Sequence, residues 1–442
     1  MSNEADKHHH RRSSLPEDDS MLSEAVTAVH SLLLKDDPLL SVPAINRYHH
    51  RWISLPDDIF LEIIARVGLP REVVITVSTT NFSIEQTHAP TYDLYKFWTA
   101  LDNLFPVLVP PITDTFCLDL NIAHYSEHRC WPIIDAWARQ LRACNIQHFT
   151  ATKFSRNISD EHVYPLSIFR MHSLVSLDLN MCHRIASSTS FSIILPKLKK
   201  LQLSWINYEC LRRLLSCCPS LEDLSVSIYE SKTHSVSLTS KKLKRLCLSL
   251  DGLSIVDVII DAPILDKLNY STISTLSMQM LDSVSNVVKS LELEAYNTGV
   301  SRGPKKTIIF PNLTHLQLSC SWHLVIDTLS MVHCPKLEVI VLRLNNLDKM
   351  VWNQEAVFVP VEHVKRIELH TDTLVNQFGE EMLNLVTLLL RSAKVLEKLT
   401  ICGRRTYYNH LNKPQFYQTL FKCVEATSRC QVELLGEYEL TT

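Results

Sequence analysis

The chain has 442 residues, 46% of them apolar and 21% charged, and a formal charge of -3. That is enough apolar material for a large core or several domains, and acids and bases so evenly interspersed exclude a dedicated nucleic-acid binder. No stretch supplies the roughly 18 uninterrupted apolar residues of a membrane span, so no membrane partner is expected.

Met1–Pro16 is polar and lacks the apolar run of a secretory signal, which predicts an intracellular protein, in nucleus or cytoplasm alike. The 13 cysteines are odd in number, scattered, and set at apolar positions or beside prolines. They are expected to be reduced and mostly buried. Without a signal peptide the Asn-x-Ser/Thr triplets at Asn81, Asn157, Asn269 and Asn312 are chance matches. The 7 glycines form no phosphate-cradling loop, so no nucleotide cofactor is called for.

Residues 1–50 read as a disordered tail with a short helix over Met21–Leu34, marginal unless a partner covers its apolar face. The run His8–His10 is a solvated stretch on this reading rather than a metal site. At Ser54 the character changes. Ser54 with Asp57 three residues later makes a helix start, and Pro56 sits in the first turn where it loses no hydrogen bond. Ile59, Ile63, Ile64 and Val67 then fall on one side, which predicts a short amphipathic helix.

The segment Leu55–Val67, followed by Leu69-Pro-Arg-Glu-Val-Val-Ile-Thr-Val-Ser78, resembles the first half of an F-box. In that family the Leu-Pro pair and the helix after it dock on the Skp-type adaptor of a cullin-RING ubiquitin ligase. The resemblance implies that Leu55, Pro56, Ile59, Phe60, Ile63, Ile64 and Val67 divide between that interface and the core of a small helical domain, residues 51–95. The second half departs from the family: where a Leu-Ser-Lys-Arg-Trp-Arg pattern is usual, this chain runs Ser78-Thr-Thr-Asn-Phe-Ser-Ile-Glu-Gln86.

Residues 96–168 read as the amino-terminal cap of a repeat array: a strand over Phe116–Leu120, a helix from near Pro132 to Leu141, and a strand over Asn145–Phe149. Between them His124, Glu127, His128 and Cys130 lie close together, but no further cluster completes a ligand set. No metal site is expected.

From Phe169 onward one unit recurs: an apolar residue, two polar, an apolar, a polar, an apolar. Its clearest copies are Leu174–Leu179, Leu198–Leu203, Leu221–Val226, Leu243–Leu248 and Leu313–Leu318. Weaker ones are Leu265–Tyr270, Val288–Leu293, Leu337–Leu342, Val364–Leu369 and Leu396–Ile401, with Ile146–Ala151 as a first copy. Successive copies start about 22 to 32 residues apart, the period of a leucine-rich repeat. Side chains alternate along a strand, and one such strand cannot bury its apolar side alone, so turns must stack at about 4.8 Å. Ten or eleven turns make an arc about 50 Å long. Return limbs such as Leu214–Leu221, Asp261–Leu265 and Val332–Leu337 read as helices ending at proline.

The fold class is therefore an α/β leucine-rich-repeat solenoid, a curved parallel sheet with helical or irregular return limbs, with repeats proper over residues 169–355. Alternation places Ser176, Asp178, Lys200, Gln202, Asp223, Ser225, Arg245, Lys267, Asn269, Glu292, His315, Gln317, Arg343, Arg366 and Glu368 on its polar face. Their charges drift from strand to strand and predict no single-sign stripe, so that a target protein is expected there and not nucleic acid.

Residues 356–442 continue with a strand over Val364–Leu369, a helix over Glu380–Ser392, a strand ending at Ile401, a helix near Phe416–Glu425 and a strand over Ser428–Leu434. Leu389–Ile401 and Ser428–Val432 closely resemble the FBD domain of plant F-box repeat proteins, and the Trp-bearing helix and Ile146-Gln-His-Phe149 strand of the cap are also similar to that family. The resemblance implies a substrate-recognition subunit of an SCF-type ligase, reaching the cullin through the adaptor, without catalysis of its own, and a monomer outside the complex. No nucleophile, base and orienting group are brought together by spacing, so no enzyme is expected. The alternatives are a repeat protein that binds partners without any link to ubiquitin and a receptor holding a small ligand on the arc.

Overall fold

The computed structural model describes residues 60–61, 72–80, 114–121, 127–153, 166–180, 192–228, 235–251, 257–273, 276–295, 307–344, 361–371, 379–403, 418, 422 and 430–436. Among these, one sheet dominates. Its strands are β1 (Phe60–Leu61), β2 (Glu72–Thr80), β3 (Thr115–Asn121), β4 (His148–Lys153) and β5 (Ser176–Asn180). They are followed by β6 (Lys200–Ile206), β7 (Asp223–Ile228), β8 (Arg245–Leu250), β9 (Lys267–Thr272) and β10 (Ser290–Ala295). The last are β11 (His315–Cys320), β12 (Val339–Leu344), β13 (Arg366–Thr371), β14 (Lys398–Gly403) and β15 (Gln431–Gly436). Their order across the sheet is their order along the chain, and every neighbouring pair from β2 onward is parallel. Every recurrent unit read from the sequence is one of these strands.

Each strand sends its apolar residues to one side. Leu201, Leu224, Leu246 and Leu316 share one register row and are at most 2% exposed, so the inward direction of the leucine positions is settled. Toward the amino-terminal strands the row includes Phe116 stacked on Phe149, their ring centroids 5.5 Å apart. Burial contributes about 1.5–3 kcal/mol for each such side chain, and a second inward row adds Leu203, Val226, Leu248, Tyr270, Leu293 and Leu318.

The helices lie in the return limbs and close the core from behind. They are α1 (Glu127–Leu141), α2 (Tyr208–Cys217), α3 (Met278–Val284), α4 (Trp322–Met331) and α5 (Gly379–Ser392). Helix α2 starts where the Asn207 side chain accepts from the Cys210 N–H at 2.8 Å, and it buries Cys210, Leu211 and Leu214. Helix α3 is capped the same way by Ser277, which accepts from the Met280 N–H.

A feature common to the return limbs is a Pro-x-Leu turn. The carbonyls of Leu195, Cys218, Ala262, Phe310 and Cys334 accept from the N–H groups of Leu198, Leu221, Leu265, Leu313 and Leu337, and a proline follows each accepting residue. Proline fixes φ for the second position of such a turn and leads the chain into the next strand. The proline therefore marks a turn rather than a helix end. Among these five, only ahead of Pro219 does a described helix run almost to the proline; before Pro263 stands a strand, Asp257–Asp261, paired with Ser235–Thr239, and before Pro335 the pair Val332–His333 extends beside Ile308–Ile309.

Three expectations are corrected. The helix of the cap begins at Glu127, ahead of Pro132. Residues Glu72–Thr80, expected within a helical F-box-like domain, form a strand paired with β3, because Val73, Val74, Ile75, Thr76, Val77, Thr79 and Thr80 are β-branched and suit a pleated sheet better than a helix. Phe60–Leu61, expected inside the amphipathic helix, is extended and pairs antiparallel with Thr79–Thr80. Leu55, Pro56, Ile59, Ile63, Ile64, Val67 and the helix expected over Met21–Leu34 lie outside the described residues. Of the helix expected near Phe416–Glu425, Gln418 and Lys422 are described, both helical.

Candidate functional site

Because neighbouring strands stay in register, the outward residues form rows that cross the sheet. The pairing defines three rows. The first holds Ser176, Lys200, Asp223, Arg245, Lys267, Ser290, His315, Val339, Arg366 and Lys398. The middle row holds Asp178, Gln202, Ser225, Cys247, Asn269, Glu292, Gln317, Val341, Glu368, Thr400 and Glu433. The last row holds Ser227, Ser249, Ser271, Glu294, Ser319, Arg343 and His370.

The structure thus brings Lys200, Asp223, Arg245, Lys267, His315 and Arg366 into one line and Gln202, Ser225, Asn269, Glu292, Gln317 and Glu368 into the next, with Arg343 alone in the third. Every one is exposed or half-buried. Read strand by strand the charges mix, as the sequence suggested; read along the register they sort. The first row carries Lys200, Arg245, Lys267, Arg366 and Lys398 against Asp223, while the middle row carries Asp178, Glu292, Glu368 and Glu433 with no lysine or arginine from β5 to β15. The expectation of no single-sign stripe is overturned, since sorting by register is visible only once strands are laid side by side.

A further row stands just before the strands, which the sequence reading missed. Lys199, Glu222, Lys244, Asp266, Lys289, Thr314, Glu338, Lys365 and Glu397 succeed one another, each N–H donating to the carbonyl of the one before. Apart from Thr314 their signs alternate. Lys244 pairs with Glu222 at 2.7 Å, Lys289 with Asp266 at 2.8 Å and Lys365 with Glu338 at 3.0 Å. Hydrogen bonds from these lysines hold the Glu222 and Glu338 carboxyls below the usual glutamate value. The signal was available: from Leu198 onward the row is the second position of every repeat unit.

Within the rows, Arg245 donates two hydrogen bonds to the Asp223 carboxylate at 3.0 and 2.8 Å, and Gln317 donates to Glu292. Asp251, just past β8, accepts from Ser227 at 2.6 Å and Ser249 at 3.2 Å. Asp178 is different: burial pushes its carboxyl up, Lys200 opposes that, and its Oδ1 is shielded without a hydrogen-bond partner. No ordinary strand geometry explains Trp205. It has φ of 61°, in the left-handed region that a bulky residue avoids, at a bulge where Ser204 and Trp205 together oppose the single residue Ser227. Sequence periodicity does not signal that extra residue.

Ten cysteines are described, all free thiols, with Cys210, Cys218, Cys320 and Cys334 buried. Burial pushes Cys218, Cys320 and Cys334 up to about 12, far from a reactive thiolate. Among the described residues no group of three His, Cys, Asp or Glu side chains could hold a metal, and no helix is long and apolar enough to cross a membrane.

The family model described as FBD-associated F-box protein At5g56370, LRR repeats, matches residues 134–295, from inside α1 to the end of β10. The chain is also 25% identical over 448 residues to F-box/FBD/LRR-repeat protein At1g51370 of Arabidopsis thaliana, covering 88% of this chain and 97% of the relative. Both matches make the chain similar to proteins named for an F-box, an FBD and leucine-rich repeats. FBD-associated F-box protein At4g10400 of Arabidopsis thaliana is 26% identical over 252 residues, 53% of this chain and 56% of the relative, so the match spans about half the length of that protein. No solved structure matches the chain. The outward rows are the part of the sheet where side chains can change without disturbing the core.

Proposed function

We propose that this chain is a target-recognition subunit of an SCF-type cullin-RING ubiquitin ligase. Its amino-terminal F-box-like segment holds a Skp-type adaptor and, through it, the cullin, and the outward rows of the sheet hold a target protein. It performs no chemistry itself, uses no cofactor, and works inside the cell, in nucleus or cytoplasm. The observation that carries the proposal is similarity to an F-box/FBD/LRR-repeat protein along nearly that relative's whole length. The open row of mixed hydrogen-bonding groups on β5 to β13 supports it, because such a surface suits a protein partner.

The test is a titration of the full chain with a purified Skp adaptor. Saturating binding that Leu55→Ala with Pro56→Ala abolishes is expected; no binding by the parent chain defeats the proposal. A second reading is favoured by the strands at Phe60–Leu61 and Glu72–Thr80, which join the repeat sheet instead of a separate helical domain. On that reading the chain is an interaction scaffold without a link to ubiquitin, and the same titration decides between them.

A further inference from the structure

The outward face is not chemically uniform along its length, and its central part differs from the strands that follow it, where Arg343 and His370 stand in the last row. Between β5 and β11 the middle and last rows contain no lysine, arginine or histidine. They contain instead Asp178, Glu292 and Glu294, with the Asp251 carboxylate at the end of β8. The first basic residue of the last row after that stretch is Arg343 on β12. Here three adjacent strands present only small side chains on these rows, among them Ser227, Ser249 and Ser271. That makes a shallow floor between larger side chains.

Trp205 stands at one end of this floor and Glu294 at the other. The bulge inserts one residue between the inward Leu203 and Ile206, so Ser204 and Trp205 both belong to the outward side opposite Ser227, and Trp205 is half-buried. From β6 to β10 is four strand steps, roughly 19 Å at the usual spacing. A tryptophan at positive φ costs about 1–2 kcal/mol of local strain, a conformation that a fold retains where the surroundings over-determine it. One strand further stands Asp178, a half-buried carboxylate of the middle row.

We propose that the floor from Trp205 to Glu294 receives an extended segment of the target bearing lysine or arginine side chains, one cation against the indole and others against Asp178, Glu292 and Glu294. An aromatic ring beside carboxylates attracts a cation through both its quadrupole and their charge. Small floor residues let an extended backbone come close, while the basic first row, Lys200 and Lys267 in particular, turns away a segment laid too low. This specificity rests on the reading that the outward face takes a target.

The experiment is selection of peptides from an unbiased random library on the full chain, with counter-selection on Ser225→Trp and separately Ser249→Trp. Each variant fills the floor without changing charge, and thermal unfolding identifies which of the two keeps the parent transition. Face-dependent peptides enriched in lysine and arginine are expected. Their affinity drops roughly tenfold in Trp205→Ala, recovers in part in Trp205→Phe, drops similarly in Glu292→Gln with Glu294→Gln, and weakens as salt rises. Glu209→Gln with Asp327→Asn, the same loss of charge on the helix side, leaves it unchanged. Face-dependent peptides without basic enrichment overturn this proposal while the target-binding reading stands. If no peptide depends on the face, both fail.

Discussion

On the inner side of the sheet the same residue type stands in turn after turn, Leu201, Leu224, Leu246, Leu268, Leu291 and Leu316, whereas one position earlier on the outer side stand Lys200, Asp223, Arg245, Lys267, Ser290 and His315. The two rows share backbone, register and spacing. What differs is the medium each meets. The inner row fills a close-packed layer where a missing methylene leaves a void, and the outer row meets water, where many side chains serve. Stability therefore belongs to the leucines and selectivity to their neighbours.

This division can be broken most forcefully from the inside. Leu246→Ala is expected to cost about 2–5 kcal/mol by chemical unfolding, since the flanking Leu224 and Leu268 collapse only partly into the cavity. An outer substitution such as Lys267→Ala should stay within about 0.5 kcal/mol of the parent. If the two were equally costly, the comparison would be wrong.

Trp205 sits on the boundary between the two rules. Trp205→Gly should be more stable than Trp205→Ala by about 1 kcal/mol in the same assay, the reverse of the order in an ordinary strand, because glycine alone takes a positive φ without penalty. The opposite order would mean that the bulge relaxes once the indole is gone.

Asp178 and the lysine-paired glutamates sharpen the contrast through pH. The Asp178 carboxyl is raised in the fold, so its charge is a burden at neutral pH that eases as pH falls through the raised value. Asp178→Asn should therefore raise the thermal midpoint at neutral pH, with the gain vanishing in acid. Glu222, Glu338 and Glu362 are shifted the other way by their lysines, so what they contribute is present above the ordinary glutamate value and disappears as pH falls through their lowered values. Midpoints measured across that range for the parent chain and Glu338→Gln should converge at the acid end.

The smallest effect is expected in the alternating row before the strands. Lys244→Glu places like charges beside Glu222 and Asp266 and should lower the midpoint slightly; adding Glu222→Lys restores one of the pairs. High salt should erase the difference, since these side chains are exposed.

The repeat unit was legible because its physics is local. A period of two within a strand, repeated at the length of one turn, leaves few other ways to bury Leu201 and its counterparts, so every unit from Ile146 to Ile401 emerged as a neighbour in one sheet. The return limbs were less legible: the Pro-x-Leu turns announce themselves, but whether a helix or a short strand precedes them depends on what packs behind. Glu72–Thr80 resembled part of one motif and joined a different structure, because its β-branched run gains an edge of the sheet to pair with, which no local rule supplies.

By itself, then, the amino-acid order determined which side chains face inward and which outward, since that comes from alternation along each strand. Tertiary structure decided the rest: which outward residues become neighbours across roughly 4.8 Å, that cations gather in one row and carboxylates in the next, and that an extra residue turns Trp205 onto the outer face. Those depend on register between segments more than twenty residues apart, and register is fixed only when the turns are stacked.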